Sequence, residues 1–490
     1  MKNKTIKHKA IMGFFWTLAE KFAAQGVSFV VSIILARLLT PDDYGIVAII
    51  TIFTSIANVF VKSGLGSALI QKKDADELDF STVFIFNVLF SVGLYILIFL
   101  VAPWIGKYYK MPNLVPVLRV SAISLIINGL NNVQQAYVSK KLKFKVFFYS
   151  TLVGTILSAI VGIIMAYSGF GVWALVTQQL LNSTVDTVIL HFTIGWKPTR
   201  SFSFTRLKSM YSFGWKLLVS DLTTSVYTNL HGFVIGMKYS SEQLAYNNKG
   251  LQFPQILARN IDNSIQSVTF PVLSHVQDDK ERFRALMYRG CSLSFYFICP
   301  MMIGMMCIAR PMVVCLLTEK WIKVVPYLQL YCMTFLLRPI EATNLQALYA
   351  LGRSDITLKL DVVKKAIGIM LLFLAILLFD DPVAICVTSV IGTIVATILN
   401  MVMIERLIQY KTSQQIMSML PTLILSSVMG GGCILIQNVL KFTSSVEELI
   451  SQIVIGIFIY LVLSLIFKPE PFCYLINYLK RYVLDRKKCS

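Results

Sequence analysis

The sequence predicts an all-α polytopic membrane protein with about fourteen transmembrane helices, arranged as two parallel six-helix lobes followed by two further helices. Three observations carry this expectation. Hydrophobic residues make up 56% of the 490-residue chain and charged residues 14%, whereas a soluble domain carries about a quarter charged residues. The apolar residues gather in continuous runs of about the 20 residues needed to cross a hydrocarbon core, not in the short alternating segments of a barrel. The chain also repeats itself. Gly171-Val172-Trp173-Ala174-Leu175-Val176 answers to Pro382-Val383-Ala384-Ile385-Cys386-Val387 at an offset of 211, and Gln135-Ala136 to Gln346-Ala347 at the same offset. Val115-Pro116-Val117-Leu118 answers to Val325-Pro326-Tyr327-Leu328 at 210, and Gly13 and Arg37 to Gly214 and Lys238 at 201. Six spans return the chain to its starting side, so the copies share one orientation about an axis along the membrane normal.

Taken in order, the apolar stretches run over 11–38, 44–69, 81–102, 114–138, 147–168, 171–194, 211–237, 244–272, 286–309, 324–349, 360–379, 382–404, 415–438 and 446–468. The first has a basic lead (Lys2, Lys4, Lys7, Lys9), but Glu20 and Lys21 interrupt it and no small-residue cleavage pattern follows. It reads as a retained span, not a signal peptide. The domains expected are an N-terminal six-helix lobe over 1–195, a cytoplasmic linker over 196–210 and a C-terminal six-helix lobe over 211–410. Two additional helices over 411–468 and a basic cytoplasmic tail over 469–490 complete the chain. The linker alternates aromatics and cations (Trp196, Lys197, Arg200, Phe202, Phe204, Arg206, Lys208) and reads as interfacial. After Pro471 the tail is apolar at three-and-four spacing (Tyr474, Leu475, Tyr478, Leu479, Tyr482, Val483), as in a helix lying on the membrane surface. Outer connections such as Ser168-Gly169-Phe170 and Asp380-Asp381-Pro382 are little more than turns, which leaves no room for a soluble catalytic domain.

The net charge of +20 is a matter of topology. With the N-terminus assigned to the cytoplasm, 30 of the 45 Lys+Arg fall in cytoplasmic segments and 9 on the opposite side. That bias places both termini inside. It makes anionic membrane lipids the natural neighbours and argues against nucleic acid as a partner. The nine cysteines make no metal site: Cys291, Cys299, Cys307 and Cys315 step by eight residues, a rotation of about 80° per step that puts them on no common helix face. His191 and His231 lie in apolar runs without companions and read as core histidines. Neither a metal nor any other cofactor is implied.

Charges inside the spans are the candidate functional residues, since each costs several kcal/mol unless it meets a partner or water. Lys62, Lys216 and Lys249 lie where the side chain can snorkel to a surface. Arg259 and Arg338 fall near the middle of the eighth and tenth spans, each with a carboxylate three residues on, Asp262 and Glu341, on the same helix face. Two readings stay open: self-neutralised structural pairs, or guanidinium groups aimed at an anionic substrate and held by their carboxylates. Glu20 matches Asp221 at the offset of 201, so both copies place a carboxylate at one depth in their first helix. These acids either pair with cations across the seam or carry a coupling proton or sodium ion. The candidate substrate-binding cations are therefore Arg259, Arg338, Lys21, Lys62 and Lys249, and the coupling or ion-pair carboxylates Glu20, Asp221, Asp262 and Glu341.

The segment Arg37-Leu38-Leu39-Thr40-Pro41-Asp42-Asp43-Tyr44-Gly45 resembles the turn between the first two helices of bacterial polysaccharide exporters. Ser63-Gly64-Leu65-Gly66-Ser67-Ala68-Leu69-Ile70-Gln71 resembles the end of their second helix. The chain as a whole is similar to the lipid-linked oligosaccharide flippases, of O-antigen and capsule type, in the multidrug/oligosaccharidyl-lipid/polysaccharide superfamily. The resemblance implies a V-shaped transporter of the bacterial cytoplasmic membrane, not an enzyme. It implies a cavity between lobes and movement of an undecaprenyl-pyrophosphate-linked repeat unit to the outer leaflet, with other polysaccharide assembly proteins as partners. Midplane cations suit a pyrophosphate, and an inside-negative potential favours its outward passage by about 2.3 kcal/mol per charge per 100 mV. Two other classes fit less well. A multidrug or cation antiporter of the same superfamily would want an acid-dominated cavity, whereas cations here at least match acids within the spans. A membrane-embedded ligase or polymerase would need a large outer loop, and these loops are too short.

Overall fold

The computed structural model describes residues 16, 23–440 and 442–477. Gly13, Glu20, Lys21 and the tail beyond residue 477 lie outside the described residues. Among those described, all regular structure is helical and no strand occurs. The fourteen apolar stretches are helical with short breaks wherever they are described.

Helix α1 (Ala23–Leu38) leads into α2 (Pro41–Lys62) through the first of the two motifs. The motif is a helix start. Thr40 Oγ1 accepts from the Asp43 amide at 3.3 Å, and Asp43 Oδ2 accepts from the Thr40 amide at 3.0 Å, with Pro41 in the first turn. Such a capping box satisfies two orphan donors and contributes about 1 kcal/mol. Gly45 follows because a Cβ there would collide with the Ser241 carbonyl. The second motif is a helix break. Ser63 and Gly64 take φ of 45° and 66°, and α3 (Leu65–Gln71) restarts beyond them. Only a glycine lets residue 64 meet the carbonyl of Gly214.

The chain continues through α4 (Glu77–Tyr108), α5 (Leu114–Ser121), α6 (Ile123–Lys140), α7 (Lys145–Tyr167), α8 (Val172–Ile194) and α9 (Phe204–Lys238). Beyond these come α10 (Ser241–Ser274), α11 (Lys280–Cys307), α12 (Ala309–Leu317) and a 3-10 turn at Glu319–Val324. The remainder is α13 (Val325–Leu336), α14 (Arg338–Ala350), α15 (Ser354–Leu378), α16 (Pro382–Ile408), α17 (Thr412–Val439), α18 (Ser445–Phe467) and a helical segment over 470–477. Among the described residues, eight helices are long and apolar enough to cross a membrane: α2 with α3, α4, α5 with α6, α7, α11, α16, α17 and α18. Leu97, Leu100 and Trp104 on α4 and Leu358, Val362 and Phe373 on α15 lie exposed. Surfaces of this kind are stable only in lipid, so the chain is a multi-pass membrane protein. Helices α8 and α10 are not among the eight. They carry Gln178, Gln179, Asn182, Asp186 and His191, and Lys249, Arg259 and Asp262, respectively.

Two compact units divide the chain at Ala245 and Tyr246. In the first unit, Leu65, Leu69, Phe80, Val133, Leu190, Ile194 and Leu207 form a core that includes Trp196. Here the structure differs from the interfacial reading of the linker. Trp196 stacks on Tyr137 with ring centroids 6.0 Å apart and also meets Phe80 and Phe84. Thr199 donates through its amide and its hydroxyl to Ser81 Oγ, both at 2.9 Å, and the Ser203 amide donates to Thr82 Oγ1 at 3.2 Å. Phe202 and Phe204 remain exposed. The segment is thus a strap fastened to the start of α4, and α9 beyond it packs on α2, α3 and α4. In the second unit, Leu273, Phe283, Met287, Leu348, Ile404 and Ile408 form one core. Tyr296, Leu425, Met429 and Tyr460 form another, on which Phe472 and Leu475 of the last segment rest.

Candidate functional site

In the second unit a break in the tenth apolar stretch positions the main cluster of charges. Helix α13 ends at Leu336, and α14 begins at Arg338 with Pro339 in its first turn, where a missing amide costs nothing. That places the Arg338 guanidinium at a helix N-terminus, the positive end of the dipole. Two carboxylates offset the repulsion. Arg338 Nε donates to Asp262 Oδ2 and Nη1 to Glu341 Oε2, each at 3.0 Å, and Lys364 Nζ of α15 lies 3.8 Å from Glu341 Oε1. Two acids and two cations make the cluster neutral. Asp262 is 6% exposed, and its Oδ1 is buried without a hydrogen-bond partner.

Spacing had suggested Arg259 as the partner of Asp262, and the structure gives Asp262 to Arg338 instead. The reason is energetic. A helical i,i+3 pair is worth about 0.2–0.5 kcal/mol, whereas a buried carboxylate left without a cation costs several times that. Arg259 is left exposed on α10, with no ion pair among the described residues.

The other candidates lie apart from this cluster. Lys249 does not snorkel. It is buried, with Nζ 3.3 Å from Gln252 Oε1 and 5.9 Å from the Trp321 ring centroid. Gly250 beside it brings α10 so close to α13 that a Cβ would lie 2.6 Å from Tyr327 Cβ. One turn earlier, Asn247 Oδ1 accepts from the Tyr331 hydroxyl at 2.8 Å and the Cys386 thiol at 3.0 Å. In the first unit, Lys62 is exposed at the end of α2, and its carbonyl accepts from Asn132 Nδ2 at 3.4 Å. Asp221 is exposed on α9 with no ion pair among the described residues.

Three groups emerge that spacing did not single out. Lys364, near the start of the eleventh apolar stretch, completes the Arg338 cluster. Asp186 of α8 accepts from Asn131 Nδ2 of α6 at 2.8 Å. It has no cation three or four residues away and no acidic counterpart in the second copy, Thr397 standing at the offset of 211. The third is an ion cluster at the start of α4. Lys72 Nζ lies 2.6 Å from Asp79 Oδ2, and Arg206 Nη1 lies 2.5 Å from Asp76 Oδ1 and 3.2 Å from Asp79 Oδ1. The hydrogen bond from Arg206 holds the Asp76 carboxyl down, from 3.8 to about 2. Lys140 Nζ donates to the carbonyls of Leu69, at 2.9 Å, and Lys72.

Comparison with known proteins agrees with this architecture. The chain is 26% identical over 408 residues to an uncharacterized membrane protein in the cps region of Klebsiella pneumoniae, covering 81% of each chain. It is 23% identical over 445 residues to the lipopolysaccharide biosynthesis protein WzxC of Escherichia coli K12, covering 87% of this chain and 88% of that one. To the teichuronic acid biosynthesis protein TuaB of Bacillus subtilis it is 24% identical over 372 residues, with 75% and 76% covered. Among solved structures, the lipid II flippase MurJ in an inward closed conformation shares the fold with a TM-score of 0.71 at 16% identity, covering 93% of this chain and 98% of that one. An inward-facing multidrug resistance MATE transporter aligns with a TM-score of 0.58 at 16% identity, covering 79% and 96%. Residues 34–326, which take in both motifs, the Ser63–Gly64 break and the buried Lys249, match a family described as polysaccharide biosynthesis protein. With more than half its length matched, the chain belongs to the polysaccharide biosynthesis protein family.

Proposed function

We propose that this protein is a flippase that carries undecaprenyl-pyrophosphate-linked oligosaccharide repeat units from the cytoplasmic to the outer leaflet, for assembly of a surface polysaccharide. It is a transporter, with no covalent step to catalyse. Support comes from its family, from relatives named for lipopolysaccharide and teichuronic acid biosynthesis, and from a probable flippase, AglR of Haloferax volcanii, 24% identical over 392 residues. The fold it shares with a lipid II flippase suits the same task. In this reading fourteen helices span the bacterial cytoplasmic membrane as two six-helix lobes and two further helices, with both termini inside. The excess of Lys+Arg on one side supports that orientation.

The observation that carries the substrate reading is Arg259. It is a guanidinium near the middle of a 34-residue helix, exposed, and uncompensated by any carboxylate among the described residues. Its rigid fork matches the bidentate geometry of a pyrophosphate. Arg338 sits within its carboxylates and meets the anion only by exchanging one of them. Lys21 and Lys62 complete the proposed cationic set, from which burial removes Lys249, and Glu20 with Asp221 form the coupling pair. Arg259→Gln should abolish glycan export in a strain lacking the chromosomal copy while the protein remains in the membrane. Arg259→Lys should restore part of it, keeping charge but losing the fork. Normal export by the Arg259→Gln, Arg338→Gln double variant would sink the reading.

A further inference from the structure

Among the described residues of the first unit, a partly buried carboxylate without an ion pair lies on α8. Asp186 is eight residues from the nearer end of that helix at Ile194, about 12 Å along the axis. Its Oδ2 accepts from Asn131 Nδ2 at 2.8 Å. Its Oδ1 and the Asn131 Oδ1 are both buried with no hydrogen-bond partner, and Asn131 is 6% exposed. Two acceptor oxygens therefore stand at one place with no donor for either. Rotating the Asn131 amide does not help an ionised Asp186, since it would set oxygen against oxygen. It does suit a protonated Asp186, whose hydroxyl would then donate to Asn131. Around the pair, Gly154 of α7 holds that helix so close that a Cβ would lie 2.9 Å from Asn182 Oδ1. Asn182 is one helical turn before Asp186 and on the same face.

No neighbouring side chain among the described residues supplies the missing charge. Helix α8 packs against α2, α5, α6 and α7. On α7 the only cation is Lys145, in the first turn, over the rings of Trp16 and Tyr149. On α6 it is Lys140, in the last turn and bound to two carbonyls. On α5 it is Arg119, whose Nε donates to the Phe99 carbonyl at 3.2 Å. Of the charges on α2, Asp42 and Asp43 lie at the far end of α8, where Asp43 faces Gly171, and Lys62 is exposed and forms no ion pair with Asp186. On α8 itself the other titratable group is His191, whose Nδ1 lies 3.3 Å from Gln134 Nε2. An ionised carboxylate in hydrocarbon with one amide for company is costly, and the unfilled oxygens are the ligand type that a hard cation takes.

We propose that the Asn131–Asp186 pair binds one monovalent cation, a proton or a sodium ion. The test uses the full chain purified into lipid nanodiscs, and it reads binding alone, so it stands apart from whether the chain moves a glycan. Sodium chloride is titrated against choline chloride at constant ionic strength, following heat and thermal unfolding. In parallel, the carboxyl carbonyl band is followed by infrared difference spectroscopy across pH. A sodium-dependent rise in Tm that Asp186→Asn removes assigns the site to sodium. A protonated-carboxyl band that ignores sodium and vanishes in Asp186→Asn assigns it to the proton. Asn131→Ala should weaken the bound ion about tenfold, as loss of an orienting neighbour does. Should Asp186→Asn fail to fold, Asp186→Glu keeps the charge but moves its oxygens, and must shift the sodium affinity or the band's midpoint. A wild-type protein with neither response, or variants that leave both unchanged, would overturn the proposal.

Discussion

Asp262 depends on Arg338 more than the reverse, because its side chain is 8% exposed against 43% for the guanidinium. Breaking a buried pair costs about 3–5 kcal/mol, and the water that reaches Arg338 puts this pair at the low end, about 3 kcal/mol. Arg338→Leu should lower the unfolding free energy in detergent by that amount, and adding Asp262→Leu should return most of it. A double variant no more stable than Arg338→Leu would show that the acid and the guanidinium do not depend on each other. The Arg338–Glu341 contact was legible in the sequence because three residues of helix fix which side chains meet. The Arg338–Asp262 contact was not, since the two stand 76 residues apart and burial, not spacing, decides which cation the acid takes. Asp186 escaped for a related reason. Its side-chain hydrogen-bond partner among the described residues is an uncharged asparagine on another helix, and the spacing that exposes ion pairs is blind to amides.

The helices divide into those shaped by hydropathy and those shaped by backbone. Hydropathy reads 44–69 as one run because serine and glycine do not interrupt an apolar stretch, yet the chain turns left-handed at Ser63 and Gly64. Gly64→Ala would add a Cβ against the Gly214 carbonyl at positive φ, a backbone strain of about 1–2 kcal/mol before any collision. It should lower Tm clearly, whereas Gly93→Ala in α4, where a Cβ meets nothing within 4 Å, should leave Tm unchanged or raise it. Equal effects at the two sites would argue against the close approach of α3 and α9. The helix starts respond to pH as well. Arg206 holds Asp76 at about 2, below the 3.8 of a free aspartate. A carboxyl with a depressed folded pKa contributes stability that is complete above the unfolded value and is lost as pH falls through the folded one. The advantage of the wild type over Arg206→Gln, read from thermal unfolding, should therefore be full near neutral pH and fade between 3.8 and about 2. A constant difference across that window would separate Arg206 from Asp76.

For the whole molecule, composition and periodicity made the helices and their order legible, since continuous apolar runs leave the chain few alternatives in lipid. They did not reveal where the packing divides. The second sequence copy opens with Gly214 in α9, but α9 packs on α2, α3 and α4, and the compact units part at Ala245. Similarity of sequence records duplication, whereas packing records which surfaces fit, and the two need not break at one residue. Orientation is tested by reporter fusions at Ser490 and in the turn over 168–171, which should report opposite sides of the membrane. The same side for both would refute fourteen spans. The strap from Trp196 to Ser203 bears on how such a chain is made. A polypeptide inserted from its N-terminus meets its own early helices first. Trp196, Thr199 and Ser203 find their partners on α4 and α6 while the second half is still on the ribosome. The strap then delivers α9 to the space that Gly64 leaves for Gly214, so biogenesis can close the first bundle before the second exists.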